Sequence, residues 1–217
     1  MSKEYFEKLK KIKDQNKEVI KKKKELKTFR CLINTFYNKN IGKNISLLDA
    51  GCSDMSLVTA AKEEGINAHG IDVDTVNFEN EKINFPDNFF EIVVCTSVIE
   101  HLFSIDNLFK EIYRILKKDG LFIIVTPNWK YNIKNFYDDP THKHPFTEKS
   151  LNFALSSFNF KEIMILPWLV NKPSWMWKIP FKFALARFIP FRGDTKIWVP
   201  SFLKGRSKTL LAICKKI

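Results

Sequence analysis

Between residues 45 and 126 short apolar runs alternate with stretches of helical periodicity, and that alternation leaves the chain very few architectures. Ile45 to Gly51, Asn67 to Asp72, Phe90 to Thr96 and Leu121 to Thr126 read as strands. Met55 to Glu64 and Asp106 to Lys118 read as helices, the second stopped by Asp119-Gly120. The strands are apolar along their whole length, so they must be buried on both faces. A sheet of that kind is parallel and carries helices on its two sides. A helix over Glu148 to Phe158 and strands near Glu162 to Pro167 and Thr209 to Cys214 complete the α/β pattern.

One interval breaks the rhythm. A parallel crossover needs a dozen or more residues and usually a helix, yet only Thr75 to Phe89 separates the second strand from the next strong one. The helix after the second strand is therefore expected to be missing or reduced to a turn, leaving an abbreviated sheet edge.

Composition narrows the class further. With 217 residues, 45% hydrophobic and 28% charged, the chain can bury one sizeable core; disorder, collagen and a disulfide mini-scaffold are excluded. The net charge of +12 is unevenly placed: +7 over residues 1–30, −5 over 31–171 and +10 over 172–217. Cys31, Cys52, Cys95 and Cys214 are far apart with no metal-binding spacing, which suits free thiols in a reducing cytoplasm. No run is long enough to span a membrane, and the charged N-terminus is not a secretory signal. Residues 4–37 carry apolar positions every three or four among lysines, with Lys21 to Lys24 read as a solvated face. Three parts are thus expected: a basic helical cap (1–40), the α/β domain (41–167 and 207–217), and an aromatic, basic insertion (168–206).

The chemistry begins at Leu47-Leu48-Asp49-Ala50-Gly51-Cys52-Ser53-Asp54-Met55, a strand entering a tight turn and then a helix. Open α/β sheets bind ligands outside the carboxyl ends of their strands, where such a turn brings backbone closest to them. Asp72, 21 residues after Gly51, ends the second strand, where a carboxylate can accept two ribose hydroxyls. A nicotinamide-binding domain would show the same features. Three later segments separate the two: Asn84 to Val94, Cys95-Thr96-Ser97-Val98-Ile99-Glu100-His101-Leu102, and Leu108 to Thr126 with Glu111, Arg114, Leu116 and Gly120. In order, these resemble the "P-F-x-D-x-x-F-D-x-V", "V-L-E-H" and "E-x-x-R-v-L-k-p-G-G" segments of the class I S-adenosylmethionine-dependent methyltransferases, and the first loop resembles their L-D-x-G-C-G-x-G.

The resemblance implies a Rossmann-like, mostly parallel sheet with an antiparallel last strand, and S-adenosyl-L-methionine as cofactor. It implies that Asp49 and Gly51 form the loop under the methionine part, that Asp72 holds the ribose, that Glu79 lies near the adenine, and that Cys52, Ser53 and Val73 belong to the cofactor-binding set. Asp87 joins this set through its motif, and Thr96 and Ser97 line the methyl-transfer channel. The first loop departs from the pattern, because Ser53 and Met55 replace two glycines. Losing them costs backbone freedom, so the loop is expected either to be reshaped or to bind more weakly.

For catalysis the candidates are Glu100 and His101 after the fourth strand of the family pattern, with Tyr131, His142 and His144 in the loop after the fifth. Asp139-Pro140-Thr141-His142-Lys143-His144-Pro145-Phe146-Thr147 resembles a "D-P-T-H-x-R-x-F-T" stretch of methyltransferases in glycan and small-metabolite pathways. A neutral imidazole suits removal of a hydroxyl proton, and His142 is the first choice as base or acceptor-orienting residue. No metal is expected. The expected acceptor is small and anionic, an oxygen of a sugar, nucleotide-linked or phosphate-bearing metabolite. An RNA methyltransferase and a non-catalytic module on membranes or acidic polymers are the alternatives. Trp168, Trp175, Trp177, Trp198 and the neighbouring lysines and arginines of 168–206 fit a lid, a homodimer contact, an interfacial membrane segment or a single-strand nucleic-acid surface.

Overall fold

The computed structural model describes residues 15–168, 191–192 and 204–217. Chain order is α1 (Gln15–Tyr37), β1 (Ser46–Ala50), α2 (Ser56–Glu63), β2 (Asn67–Ile71), β3 (Phe90–Thr96), α3 (Asp106–Ile115) and β4 (Leu116–Pro127). A short α4 (Trp129–Asn132), α5 (Glu148–Ser157), β5 (Lys161–Pro167), β6 (Phe191–Arg192), β7 (Lys204–Arg206) and β8 (Thr209–Lys215) follow. Six strands form one sheet in the order β2-β1-β3-β4-β8-β5, and β6 pairs with β7 alone. Strands β1 to β4 run parallel, with Leu48 opposite Val93 and Val93 opposite Phe122. β8 lies antiparallel between β4 and β5.

Successive side chains on a strand point to opposite faces, and here both faces are dry. Leu48, Ala50, Val93, Cys95, Phe122 and Ile124 pack with Leu108, Phe109 and Ile112 of α3 and Leu151 and Leu155 of α5. Leu47, Ile92, Val94, Leu121 and Ile123 meet Leu26, Phe29, Leu32 and Ile33 of α1 and Leu57, Val58 and Ala61 of α2. That double burial is why the strands read as continuous apolar runs. No disulfide joins Cys31, Cys52, Cys95 and Cys214. Among the described residues, no helix is long and apolar enough to cross a membrane.

The interval after β2 contains turns only, and other residues cover the edge that a helix would shield. His69 of β2 sits edge-on to Phe85, Phe89 and Phe90, with ring centroids 5.4–6.0 Å away. Arg114 of α3 clamps this loop, donating to the carbonyls of Ile83 (2.8 Å) and Phe85 (2.9 Å) and to Asp87 (2.6 Å). Glu111 accepts from Arg114 and from the Ile83 N–H. Two of the motifs singled out in the sequence thus bind each other.

Three expectations are corrected. The helix after Asp106 ends at Ile115, not Lys118, because Leu116 turns extended and pairs with Phe90, with a register shift before Ile92 meets Leu121. The lysines have good helix propensity, but a strand partner outweighs it. Trp168, grouped with the insertion, is buried and stacks on Phe29 at 5.2 Å. Lys21 and Lys22 are not merely solvated; α1 brings them to the cavity described below. Of the helix expected over 4–37, residues 4–14 lie outside the described residues, as do 169–190 and 193–203, which carry most of the lid, dimer, membrane and nucleic-acid readings of 168–206.

Candidate active site

The first loop is built by backbone geometry. Gly51 leaves β1 at φ +90°, and the N–H groups of Gly51 and Cys52 both donate to the Ile71 carbonyl (2.8 and 3.1 Å), which ties the loop to β2. A Cβ on Gly51 would lie 2.1 Å from Val98 Cγ2. Ser53 (φ 47°) and Met55 (φ 62°), standing where the family pattern has glycines, occupy the left-handed region glycine favours. Each such residue costs roughly 1–2 kcal/mol. The loop therefore keeps a glycine-like course despite its side chains. Asp54 accepts from the Ser56 N–H at 3.0 Å, satisfying one donor at the start of α2.

Above this loop lies a cavity of about 490 Å³, within the roughly 300–1,000 Å³ of small-molecule sites. Asp49, Gly51, Cys52, Ser53, Asp72, Val73, Thr96, Ser97 and His101 line it, so the structure gathers nine of the fifteen candidate positions. Glu18, Lys21 and Lys22 of α1 also line it, as do Asp54, Asp74, Phe78, Val98, Leu102 and Asp139. The α1 residues were hidden in the sequence, where a lysine run looks the same whether it faces water or a site.

Electrostatically the cavity is acidic, with Glu18, Asp49, Asp54, Asp72, Asp74 and Asp139 set against two lysines. Burial pushes Asp49 up to about 7; Lys22 opposes this, and Glu25, Asp72 and Asp54 reinforce it. Burial pulls Lys22 down, but Glu25, 2.7 Å from its ammonium, outweighs this together with Asp49 and Asp54, and Lys22 sits above its ordinary value. Asp72 accepts from the Val73 N–H at 2.8 Å. Thr96 Oγ1 is buried with no hydrogen-bond partner among the described residues. An orphan hydroxyl on the cavity wall and an acidic lining both fit a cationic ligand with polar groups to satisfy.

At the other end His101 meets the loop after β4. Its Nδ1 lies 2.7 Å from Thr141 Oγ1, which is 2.5 Å from Asp139 Oδ1. Burial, aided by His142 at a ring separation of 4.7 Å, holds His101 below its ordinary pKa, so its imidazole is neutral near pH 7. Glu100 is buried behind it and accepts from Thr126 at 3.0 Å; burial raises it to about 7. The Glu100 carbonyl receives the N–H groups of Lys143 and His144, anchoring the loop.

Six candidates lie off the cavity wall. Glu79 accepts from the N–H groups of Phe103 and Ser104, joining two loops. Asp87 is held by Arg114. His142 stacks near Phe136 and binds its carbonyl through Nδ1 at 2.5 Å. His144 Nδ1 lies 2.8 Å from the Leu102 carbonyl, Tyr131 lies under Lys130, and Glu100 is shielded. Glu100, His101 and His142 bring ligand-type atoms within 4.8 Å of one another. The hydrogen bonds to Thr126, Thr141 and Phe136 account for that grouping.

A family model described as a methyltransferase domain matches residues 10–164. Curated relatives include the ubiquinone biosynthesis O-methyltransferases of Rickettsia akari, 27% identical over 114 residues (44% of this chain, 45% of the relative), and of Pelagibacter ubique, 30% identical over 104 residues (40% and 43%). The matched region spans less than half the length of these relatives. Among solved structures, a SAM-dependent methyltransferase from Archaeoglobus fulgidus superposes with a TM-score of 0.56 at 23% identity, covering 89% of this chain and 94% of the other. The family match covers most of the chain and the sheet has the corresponding architecture: this chain belongs to the class I S-adenosylmethionine-dependent methyltransferases.

Proposed function

We propose that the chain methylates a hydroxyl oxygen on a small, largely uncharged acceptor, and that His101 removes the hydroxyl proton. The observation that carries this reading is the position of the His101 imidazole on the cavity wall, where burial holds it below its ordinary pKa. Methyl transfer to an amine needs no base once the amine is neutral, whereas a hydroxyl oxygen is a poor nucleophile until its proton leaves. The relatives named for O-methylation in ubiquinone biosynthesis support oxygen as the target and a ring hydroxyl as the acceptor group. They do not support the sugar or phosphate-bearing acceptor expected from the sequence. Besides Asp49, the other five acidic side chains around the cavity, Glu18, Asp54, Asp72, Asp74 and Asp139, outnumber its two lysines and would also repel a phosphate or an RNA backbone.

S-adenosylmethionine supplies an electrophilic methyl carbon on a sulfonium. In this reading the Gly51 and Cys52 backbone and Asp49 surround the methionine part, Asp72 accepts the ribose hydroxyls, and the acidic wall favours the positive charge. Thr96 and Ser97 border the path between donor and acceptor, and Phe78 and Leu102 give the cavity apolar surface that excludes water. Methyl displacement is in-line, so positioning carries much of the acceleration. His142 yields its first place as base, because its Nδ1 is tied to Phe136 and its ring lies off the cavity wall.

Incubation of the full chain with methyl-labelled cofactor and a panel of catechols, amines, sugar phosphates and RNA tests the reading. Label should enter the catechol oxygen, and His101→Gln should lower kcat about 10²–10⁴-fold while keeping affinity for S-adenosylhomocysteine. Label in amines or RNA, or full turnover by His101→Gln, overturns it.

A further inference from the structure

We infer that Asp139 and Thr141 are positioning residues forming a relay that fixes the tautomer of His101 and makes Nε2 its proton-accepting nitrogen. The inference rests on the reading of His101 as the base. Thr141 is buried, and its hydroxyl touches two groups, Asp139 Oδ1 at 2.5 Å and His101 Nδ1 at 2.7 Å. A hydroxyl owns one proton. Asp139 can only accept, because the hydrogen bonds from Thr141 and the nearby His142 and His101 outweigh burial and hold its carboxyl below the ordinary value. If the hydroxyl proton pointed to His101, two oxygen acceptors would face each other at 2.5 Å with nothing between them. The proton therefore lies towards Asp139, and Thr141 Oγ1 must accept from Nδ1–H. In a neutral imidazole the other nitrogen then carries the lone pair.

The loop is built to hold this chain of bonds. The Thr141 N–H also donates to Asp139 Oδ1, at 2.9 Å, an Asx turn across Pro140 that sets the carboxylate under the hydroxyl. Lys143 and His144 bind the Glu100 carbonyl, so the loop is fixed to the residue preceding His101. His142, which the sequence favoured as base, instead packs on His101 with its own Nδ1 on Phe136. When His101 Nε2 takes up the acceptor's proton, the imidazolium keeps its Nδ1–H bond to the Thr141 hydroxyl, which remains hydrogen-bonded to the Asp139 carboxylate, so the positive charge on the ring is stabilised through that chain. The titratable groups around the ring are Asp139, His142 and Glu100.

The test needs no acceptor. The chain has four histidines, so long-range ¹H–¹⁵N correlation of the full-length, histidine-labelled protein, with His101 assigned by His101→Gln, reads the tautomer directly. At pH 8, with S-adenosylhomocysteine present, His101 should carry its proton on Nδ1. Thr141→Val should shift it towards Nε2–H and lower kcat on a catechol about 10- to 100-fold, the range seen when a group orienting a metal-bound imidazole is lost. Thr141→Ser should restore both. A wild-type His101 protonated on Nε2, or a tautomer unchanged in Thr141→Val, refutes the relay, and the wild-type spectrum decides even where a variant does not fold. Full turnover by His101→Gln beside an Nδ1–H wild type would instead remove the base reading and leave the tautomer assignment intact.

Discussion

Replacing Gly51 by alanine joins the strand end, the cofactor loop and the core in one measurement. Two costs add. The residue sits at φ +90°, beyond the left-handed well itself, so an L side chain there is strained by at least roughly 1–2 kcal/mol. Its Cβ would also fall 2.1 Å from Val98 Cγ2. Val98 is nearly buried and β-branched, with little rotamer freedom to move aside, and forced overpacking of this kind costs about 1–3 kcal/mol. Together they give about 2–5 kcal/mol, a large share of the roughly 5–15 kcal/mol that holds a domain folded. For a chain of this size that lowers Tm by about 4–20 °C. Urea denaturation of the wild type, Gly51→Ala, Val98→Ala and the double variant separates the two costs. Val98→Ala removes the clashing methyl, so the pair should couple by about 1–3 kcal/mol and leave the backbone cost behind. A Gly51→Ala penalty below about 0.5 kcal/mol, or strict additivity with Val98→Ala, would refute the reasoning.

Burial raises Asp49 to about 7 from an unfolded value near 3.9. Between those limits the folded state holds a proton the unfolded chain has lost, so this group's contribution weakens stability as pH rises. Urea titrations at pH 5, 6 and 7 should therefore show a shallower decline in Asp49→Asn than in wild type; equal slopes would contradict the assignment. Arg114→Ala should cost about 2–4 kcal/mol, because it strips the Ile83 and Phe85 carbonyls and leaves Glu111 without its cation. Arg114→Lys should recover less than half of that, since an ammonium cannot span the fork, and thermal melts of the two variants compare them.

Apart from the start of β4, the strands of the six-stranded sheet were legible to within a residue or two, because burial on both faces writes itself into composition. The missing helix after β2 was legible from chain length alone. Boundaries failed where tertiary pairing overrode local preference, as at Leu116, whose partner Phe90 lies 26 residues earlier. On the cofactor side, motif spacing brought Asp49, Gly51, Asp72 and Thr96 to one cavity, because each ends a strand at the same edge of the sheet. Glu79 and Asp87 were misplaced for a common reason: spacing counts residues but not the direction a loop takes. Glu79 turns towards the Phe103 and Ser104 amides, and Asp87 towards Arg114. The placement of His101 on the cavity wall and of His142 off it could not be read from sequence either, since it depends on which ring the Phe136 carbonyl ties down. The acidic cavity was equally hidden in a chain whose net charge is +12.

Calorimetric titration of S-adenosylhomocysteine into the wild type and into Asp72→Ala tests the central claim most directly. The account predicts one site in the wild type and a loss of affinity of about tenfold or more in Asp72→Ala, with melting unchanged, since a carboxylate accepting two ribose hydroxyls contributes about 1.5–3 kcal/mol per bond at most. No binding by the wild type at millimolar ligand, or equal affinity in the two proteins, would contradict it.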